Sequence, residues 1–171
     1  EQALLIAGPK SSGAVVTGVL ADYERKVTSI TEKMAAGSFD DLKAGDFGIV
    51  LGTELAKALG VSMGDRVVIV TPLRSITPVG VVPRHRSFKV VGIFNAAMYE
   101  FDRNLAYVNL EDAARLYRMG DQITGLRLKL EDMLTAPKLV RELALSLGGG
   151  YYIDDWTRKH ANFFRSIQLT K

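Results

Sequence analysis

The segment that most constrains the fold is Thr71–Arg86, which reads TPLRSITPVGVVPRHR and joins two apolar stretches of the chain. It carries three prolines among branched aliphatic residues. Hairpin loops usually contain two to five residues, and long loops inside compact domains are usually functional or disordered. The apolar stretches 66–70 and 87–94 therefore predict two strands, and residues 71–86 are expected to project from them as a hook. We expect a partner protein to bind this hook.

Composition limits what the hook can belong to. A chain of 171 residues can bury a sizeable core, as one domain or two small lobes. Its 22 basic residues against 19 acidic ones are scattered without long runs of like charge, which argues against nucleic acid as a partner. Cysteine is absent, so disulfides and sulfur-ligated metals are excluded. No stretch approaches the roughly eighteen apolar residues of a membrane span, and no signal-peptide pattern opens the chain, so we expect a soluble domain.

Strands and helices are intermixed, which predicts an α+β fold with mixed sheets and packed helices, without the regular rhythm of a dinucleotide-binding fold. Glycine at position 60 is expected to end one helix, and Asn109 to cap another. Short helical turns are expected between residues 22 and 44. The predicted strands are residues 3–7 and 14–19 as a hairpin, then 48–52, 66–70, 87–94, 105–110, 123–130 and 151–153; the predicted helices are 53–59, 111–119, 137–147 and 156–169.

Motifs for catalysis and metal binding are incomplete in this sequence. Gly8–Ser11 lacks the first glycine of a phosphate loop, and a β-turn explains it. His85 and His160 are far apart and have no ligand at metal-binding spacing. The serines lack a nucleophile elbow, and the Asp154–Asp155 pair fits a helix cap better than an acid and base pair. We therefore expect a domain with no catalytic, cofactor-binding or metal-binding residues.

A series of short motifs in a fixed order resembles the periplasmic domain of LolC/LolE permeases. The motifs are GIVLGTELAKALGV at 48–61, GD at 64–65, TPVG at 77–80, FKVVGIF at 88–94, MYEFD at 98–102, LAYVNLEDA at 105–113 and DW at 155–156. The resemblance covers roughly residues 15–171 and is densest from 48 to 130. These proteins share the wider type of FtsX and MacB, so the resemblance implies a MacB-like periplasmic domain with a protruding β-hairpin hook.

The resemblance also implies a function and a set of partners. The full transporter would release lipoproteins from the bacterial inner membrane, with a LolD-like ATPase and a second permease subunit. The LolC type recruits a LolA-like periplasmic chaperone through its hook and a basic pad, whereas the LolE type contacts the lipoprotein and lacks the hook proline. Carried onto this chain, the hook residues are Ile76, Thr77, Pro78, Val79, Gly80, Val81, Val82 and Pro83, and the pad residues are Arg84, His85 and Arg86.

Local chemistry is consistent with such a hook. Prolines fix φ and remove backbone donors, which lowers the entropy lost on docking. The aliphatic side chains could enter an apolar cavity of the chaperone, while the arginines orient the encounter. One basic pad position on the preceding strand is Val68 here, so the pad is expected to be partly present.

Other interpretations of the sequence stay open. The hook could be a disordered loop whose valines pack locally. The domain could instead bind lipoprotein as LolE does, or contact an adaptor protein as a MacB-like efflux domain does. The aromatic residues of the last predicted helix fit core packing or coupling to a membrane helix. Because family members usually carry another strand and helix before residues 3–19, we expect residues 1–171 to form one periplasmic domain whose first lobe is incomplete.

Overall fold

The computed structural model describes residues 1–77 and 80–159, with the backbone alone for residues 73–77, 80–82 and 158–159. Two compact units follow one another along the chain: the first is Glu1–Arg127, and the second begins at Leu128. Every helix in the described residues is too short or too polar to cross a membrane. The elements that position the candidate site lie in the first unit.

In the described residues of the first unit, seven strands form one sheet in the order β3-β6-β4-β7-β2-β1-β5. Because β5 also pairs with β6, the pairing closes a ring of six strands, and β3 extends from the end of β6. The strands are β1 Gln2–Ala7, β2 Lys10–Val19, β3 Met34–Gly37, β4 Gly48–Gly52, β5 Arg66–Thr77, β6 Gly80–Phe94 and β7 Leu105–Asn109. The helices are α1 Ala21–Val27, α2 Thr53–Leu59, α3 Tyr99–Asn104 and α4 Leu110–Tyr117, with 3₁₀ turns at Ile30–Glu32 and Phe39–Asp41.

Apolar side chains pack on both faces of β4, which is buried along its whole length. One cluster joins the inward side chains of the ring to α2 and α4, and includes Leu5, Val16, Ile49, Leu51, Leu55, Leu59, Val67, Ile69, Phe88 and Leu116. A second cluster, on the other face, includes Val19, Phe39, Leu42, Val50, Phe94 and Tyr107. Full burial of such a side chain is worth about 1.5–3 kcal/mol, so these two clusters hold the ring together.

Glycine permits a close approach of α3 to the central strand. A Cβ at Gly52 would lie 2.2 Å from the main-chain oxygen of Asp102. The Asp102 side chain is itself buried and accepts a hydrogen bond of 2.7 Å from the amide of Ala96. The connection between β6 and α3 is therefore fixed against the end of β4.

The α+β class and most of the predicted elements of the first unit are confirmed. The β1–β2 hairpin, β4, α2 and α4 form where the sequence indicated. Gly60 ends α2 with φ +67°, and the Asn109 side chain accepts a hydrogen bond of 2.9 Å from the amide of Glu111 at the start of α4. The short strand β3 and the helix α3 were not predicted.

Two predicted strands are absent from the described residues. Residues 123–130 form no strand, although Leu126, Leu128 and Leu130 alternate with basic residues. Alternation becomes a strand only beside a partner that covers the apolar face, and Leu126 is 85% exposed. Residues 151–153 also form no strand, and Tyr151 and Tyr152 are exposed.

The second unit contains a 3₁₀ turn at Met133–Thr135, α5 at Ala136–Ser146 and α6 at Trp156–Lys159. The indole of Trp156 donates a hydrogen bond of 2.8 Å to the main-chain oxygen of Met133. The Asp155 carboxylate accepts a hydrogen bond of 2.7 Å from the amide of Thr157, which confirms the predicted helix start. Residues 160–169 of the predicted last helix lie outside the described residues.

Candidate protein-docking site at the base of the hairpin

The predicted hook is the distal part of an antiparallel hairpin. Strands β5 and β6 pair from Arg66 opposite Lys89 to Thr77 opposite Gly80. β1 pairs with β5 only at residues 68–70, and β4 pairs with β6 at residues 89–94. Beyond Val70, the described backbone of each strand therefore pairs with that of the other alone. The four paired residues 74–77 extend roughly 13 Å at about 3.3 Å per residue.

Most of the hook consists of paired strand. Ile76 lies opposite Val81, and Val82 and Pro83 lie opposite residues 75 and 74. Pro78 and Val79, which the sequence predicts at the contact, lie outside the described residues. The hook is therefore a two-stranded ribbon as far as Thr77 and Gly80, and the predicted docking role of its residues stays a prediction.

An irregularity separates the ribbon from the sheet. His85 lies opposite Val70, but Pro83 lies opposite Arg74, so three residues of β5 face the single residue Arg84. One of the three is Pro72, which has no amide hydrogen to continue the ladder. Such bulges bend a strand and redirect its side chains. The bend lies beside the three residues of the predicted basic pad.

The pad residues do not share one face of β6. Side chains alternate along a strand, so His85 and Arg86 point to opposite sides. Arg86 lies opposite the buried Ile69, on the side that faces α4, whereas His85 lies opposite Val70 on the outer side. The structure thus brings Arg84 and Arg86 toward α4 and separates them from His85.

Arg86 is positioned by an aromatic ring. Its guanidinium carbon lies 3.8 Å from the centroid of the Phe47 ring, a cation–π arrangement. The edge of the Phe47 ring packs against Phe88, with centroids 5.5 Å apart and planes at 80°. Phe47 itself has φ +50°, a conformation that non-glycine residues adopt at a cost. A platform of two phenylalanines therefore lies beneath the base of the ribbon.

Asp112 on α4 holds that platform in place. Its side chain is fully buried, and its two oxygens accept hydrogen bonds of 2.8 Å from the amide of Gly45 and 3.0 Å from the amide of Phe47. The Nη1 atom of Arg115 lies 3.6 Å from the same carboxylate. A carboxylate that accepts several hydrogen bonds in a buried position fixes the local backbone. The loop that carries Phe47 is thus attached to α4.

Arg84 connects the ribbon directly to the C-terminal end of α4. Its Nη2 atom donates a hydrogen bond of 3.4 Å to the main-chain oxygen of Arg115, and its Nη1 atom has no partner among the described residues. Burial, followed by the charge of Arg118, lowers the pKa of Arg84 from its usual value. Arg118 is the exposed residue after α4 and has φ +53°. Because the guanidinium group is not deprotonated in proteins, Arg84 keeps its positive charge.

The other side of the ribbon base borders an open groove of about 670 Å³. Strands β1, β2 and β5 supply its walls, and most of the lining is aliphatic. The lining includes Leu4, Gly13, Val15, Val70, Pro72 and Asn104. Leu4 is 42% exposed, so apolar surface is open to solvent next to the hairpin.

Sequence reasoning did not identify the residues that organise this site. Asp112 lies in the predicted helix 111–119, but its partners lie more than sixty positions earlier in the chain. Arg115 and Arg118 lie in the same predicted helix, which assigned them no role. Among the described residues, no group of three or more histidine or acidic side chains could hold a metal ion.

Comparison with known proteins identifies relatives of this chain. Residues 3–145 match the family described as the MacB-like periplasmic core domain. All 171 residues align at 42% identity with the lipoprotein-releasing system transmembrane protein LolC of Xylella fastidiosa (strain 9a5c), and the identity is 41% over the whole chain with LolC of Neisseria meningitidis serogroup B (strain MC58). The LolE protein of Haemophilus influenzae (strain Rd) is 30% identical over 99% of the chain.

The chain spans about two fifths of the length of these relatives, 40–41% of each. Among solved structures, the extracellular domain of the noncanonical ABC-type transporter YknZ from Gram-positive bacteria is similar, with a TM-score of 0.50 and 11% identity. That match covers 86% of this chain and 72% of the other, and it shows a shared fold. The chain therefore belongs to the MacB-like periplasmic core domain family.

Proposed function

We propose that this domain docks a LolA-like periplasmic lipoprotein chaperone through its β5–β6 hairpin. The observation that carries the proposal is the ribbon beyond Val70, whose described backbone pairs only within the hairpin and therefore leaves both outer edges free of other strands. Its base carries Arg84 and Arg86 on one side and an open apolar groove on the other. Apolar contact surfaces bordered by arginine are typical of protein–protein interfaces.

The proposal includes a place in a larger machine. The domain would belong to a permease of the bacterial inner membrane that transfers lipoproteins to the chaperone. A LolD-like ATPase would hydrolyse ATP on the other side of that membrane, and a second permease subunit would complete the transporter. The identity of 41–42% to two LolC proteins over the whole chain supports the chaperone-recruiting role. No catalytic step is assigned to this domain.

Direct binding tests the proposal. Calorimetry or biolayer interferometry would measure the affinity between the domain and the LolA-like chaperone of the same organism, at low and at physiological salt. We expect weak but specific binding, because a ribbon of this size buries less than the roughly 1,600 Å² of a standard interface. No detectable binding by the wild-type domain at low salt would refute the proposal.

Two substitutions in the predicted hook sharpen this test. Pro78→Ala and Val79→Asp should remove chaperone binding while leaving the melting temperature of the domain unchanged. Ser11→Ala, in the turn-proximal part of β2, provides a control on an exposed residue of another hairpin. A variant with a lower melting temperature than the wild type would show that its residue stabilises the folded domain. Its loss of binding would then not support docking.

The open groove favours a second candidate function. An aliphatic surface of this volume could hold an acyl chain, so the domain could contact the lipoprotein itself, as the LolE type is expected to do. A fluorescent acylated peptide would report such binding, and Leu4→Gln should weaken it. This candidate would be eliminated if the wild-type domain did not bind the acylated peptide and if Leu4→Gln still bound the chaperone.

A further inference from the structure

We propose that the C-terminal end of α4 forms half of the docking surface. Arg115 and Arg118 join Arg84 and Arg86 in one arginine surface, which binds carboxylates on an acidic face of the chaperone. This inference rests on the proposed function and deepens it, because it replaces a pad of three consecutive residues by a surface assembled from two elements of the fold.

Contacts among the described residues bring the four arginines together. The side chain of Arg84 donates to the main-chain oxygen of Arg115, so the base of the ribbon lies against the end of α4. Arg115 in turn lies 3.6 Å from Asp112, the carboxylate that holds the amide of Phe47. Because Arg86 stacks on Phe47, both strand arginines are attached to the helix that carries the other two.

The positive charge of this surface is largely uncompensated within the domain. In the described residues, the one ion pair made by these four arginines is that between Arg115 and Asp112, and the Asp112 oxygens also serve two main-chain amides. Asp46, in the loop of Phe47, makes no ion pair in the same part of the chain. Arginine at the end of a helix stabilises the helix dipole, but that role explains only Arg115 and Arg118. Neither that role nor an ion pair within the described residues accounts for the charges of the two strand arginines.

The chemistry of the surface favours protein carboxylates. Guanidinium groups bind carboxylates with two parallel hydrogen bonds, and stacking on an aromatic ring leaves the donors at the edge of Arg86 free for that purpose. Arginine is also enriched at the centres of protein interfaces. The surface adjoins a proline-bearing ribbon of branched aliphatic residues, a combination that fits a folded protein with an apolar cavity and an acidic rim.

Arg118→Asn is the variant that separates docking from folding. Arg118 has φ +53°, and asparagine adopts this left-handed conformation more readily than most residues, so the end of α4 is preserved while one charge is lost. Arg66→Asn removes one charge from the first residue of β5, far along the hairpin from Thr77, and is the matched control. Arg115→Gln tests the second helix residue, with the melting temperature recorded for each protein.

Chaperone affinity would be measured for each variant over a series of salt concentrations. We expect Arg118→Asn and Arg115→Gln each to weaken binding by about threefold to tenfold, chiefly through a slower association rate and with a smaller salt dependence, while Arg66→Asn changes it less than about twofold. This inference would be overturned if Arg118→Asn and Arg115→Gln both bound the chaperone with wild-type affinity while Arg86→Gln bound it more weakly. The proposed function would still stand in that case. Absence of wild-type binding would overturn the proposed function, and with it the partner assigned here.

A vesicle arm distinguishes the protein partner from a membrane. The same proteins would be sedimented with vesicles of phosphatidylglycerol and phosphatidylethanolamine. We expect no binding that depends on Arg118. Sedimentation that is lost in Arg118→Asn but kept in Arg66→Asn would assign the arginine surface to lipid headgroups and refute the chaperone carboxylates as its ligand.

Discussion

The guanidinium of Arg86 lies 3.8 Å from the centre of the Phe47 ring, so a strand residue at the base of the hairpin is oriented by a loop that precedes β4. Phe47 is fixed in turn by the buried Asp112. The orientation of the arginine surface therefore depends on residues that need not touch the chaperone. Substitutions at Phe47 and Asp112 can therefore be tested by their effect on chaperone binding.

Phe47→Leu should weaken chaperone binding by about twofold to fivefold. Leucine keeps an apolar side chain against Phe88 but removes the π face beneath Arg86, and a partly exposed cation–π contact contributes about 0.5–1 kcal/mol. The melting temperature should fall modestly, because the edge contact between the two rings is lost. Phe101→Leu, at an exposed phenylalanine on α3, is the matched control. Unchanged affinity in Phe47→Leu would show that the ring does not orient Arg86.

Asp112→Asn should lower the free energy of unfolding by about 1–3 kcal/mol. The carboxylate accepts from the amides of Gly45 and Phe47 with separate oxygens, whereas asparagine has one acceptor oxygen and would leave one amide without a partner. Urea titration followed by circular dichroism measures the change. Glu111→Gln, at the exposed neighbouring position of α4, should alter stability by less than about 0.5 kcal/mol. Equal effects of the two substitutions would contradict the assigned role of Asp112.

Elements with strong local signals were predictable from the sequence. Glycine at position 60 and Asn109 mark helix boundaries through their own backbone and side-chain chemistry, and both were found as expected. The segment 123–130 shows the limit of such signals. Its alternation matches a half-buried strand, but a strand requires a neighbour in space, which a periodic pattern does not provide.

The candidate site was only half predictable for a related reason. The family resemblance implied a pad of residues 84–86, although strand alternation alone separates His85 from Arg86. The contribution of α4 depends on a contact between Arg84 and Arg115, whose separation along the chain leaves no local pattern. The hydrogen bonds of Asp112 are equally remote, because its partners precede β4. Local chemistry located the hairpin, and tertiary packing determined which side of it is basic.

Glu24→Gln should destabilise the first unit by about 1–3 kcal/mol. Glu24 on α1 is 5% exposed and pairs with the guanidinium of Arg127. Removal of one partner from a buried ion pair is costly, although the partial exposure of Arg127 reduces the effect below that of a fully buried pair. Asp22→Asn, whose side chain is exposed on the same helix, provides the control. Thermal unfolding of both variants would measure the difference, and equal melting temperatures would refute a stabilising role for the pair.

Tyr117→Phe should leave the domain as stable as the wild type at pH 7, or more stable by up to about 1 kcal/mol. The Tyr117 hydroxyl is buried and has no hydrogen-bond partner among the described residues, so its removal relieves a desolvation cost.

Burial, followed by the charge of Glu1, raises the pKa of Tyr117 from 10.0 to about 12. The unfolded tyrosine therefore ionises first, and this contribution to stability is complete below pH 10 and is lost as the pH rises toward 12. Urea unfolding at pH 8 and pH 11 should show a fall for the wild type that exceeds that for Tyr117→Phe by about 1 kcal/mol. Parallel losses in the two proteins would mean that Tyr117 ionises at its ordinary pKa in the folded domain.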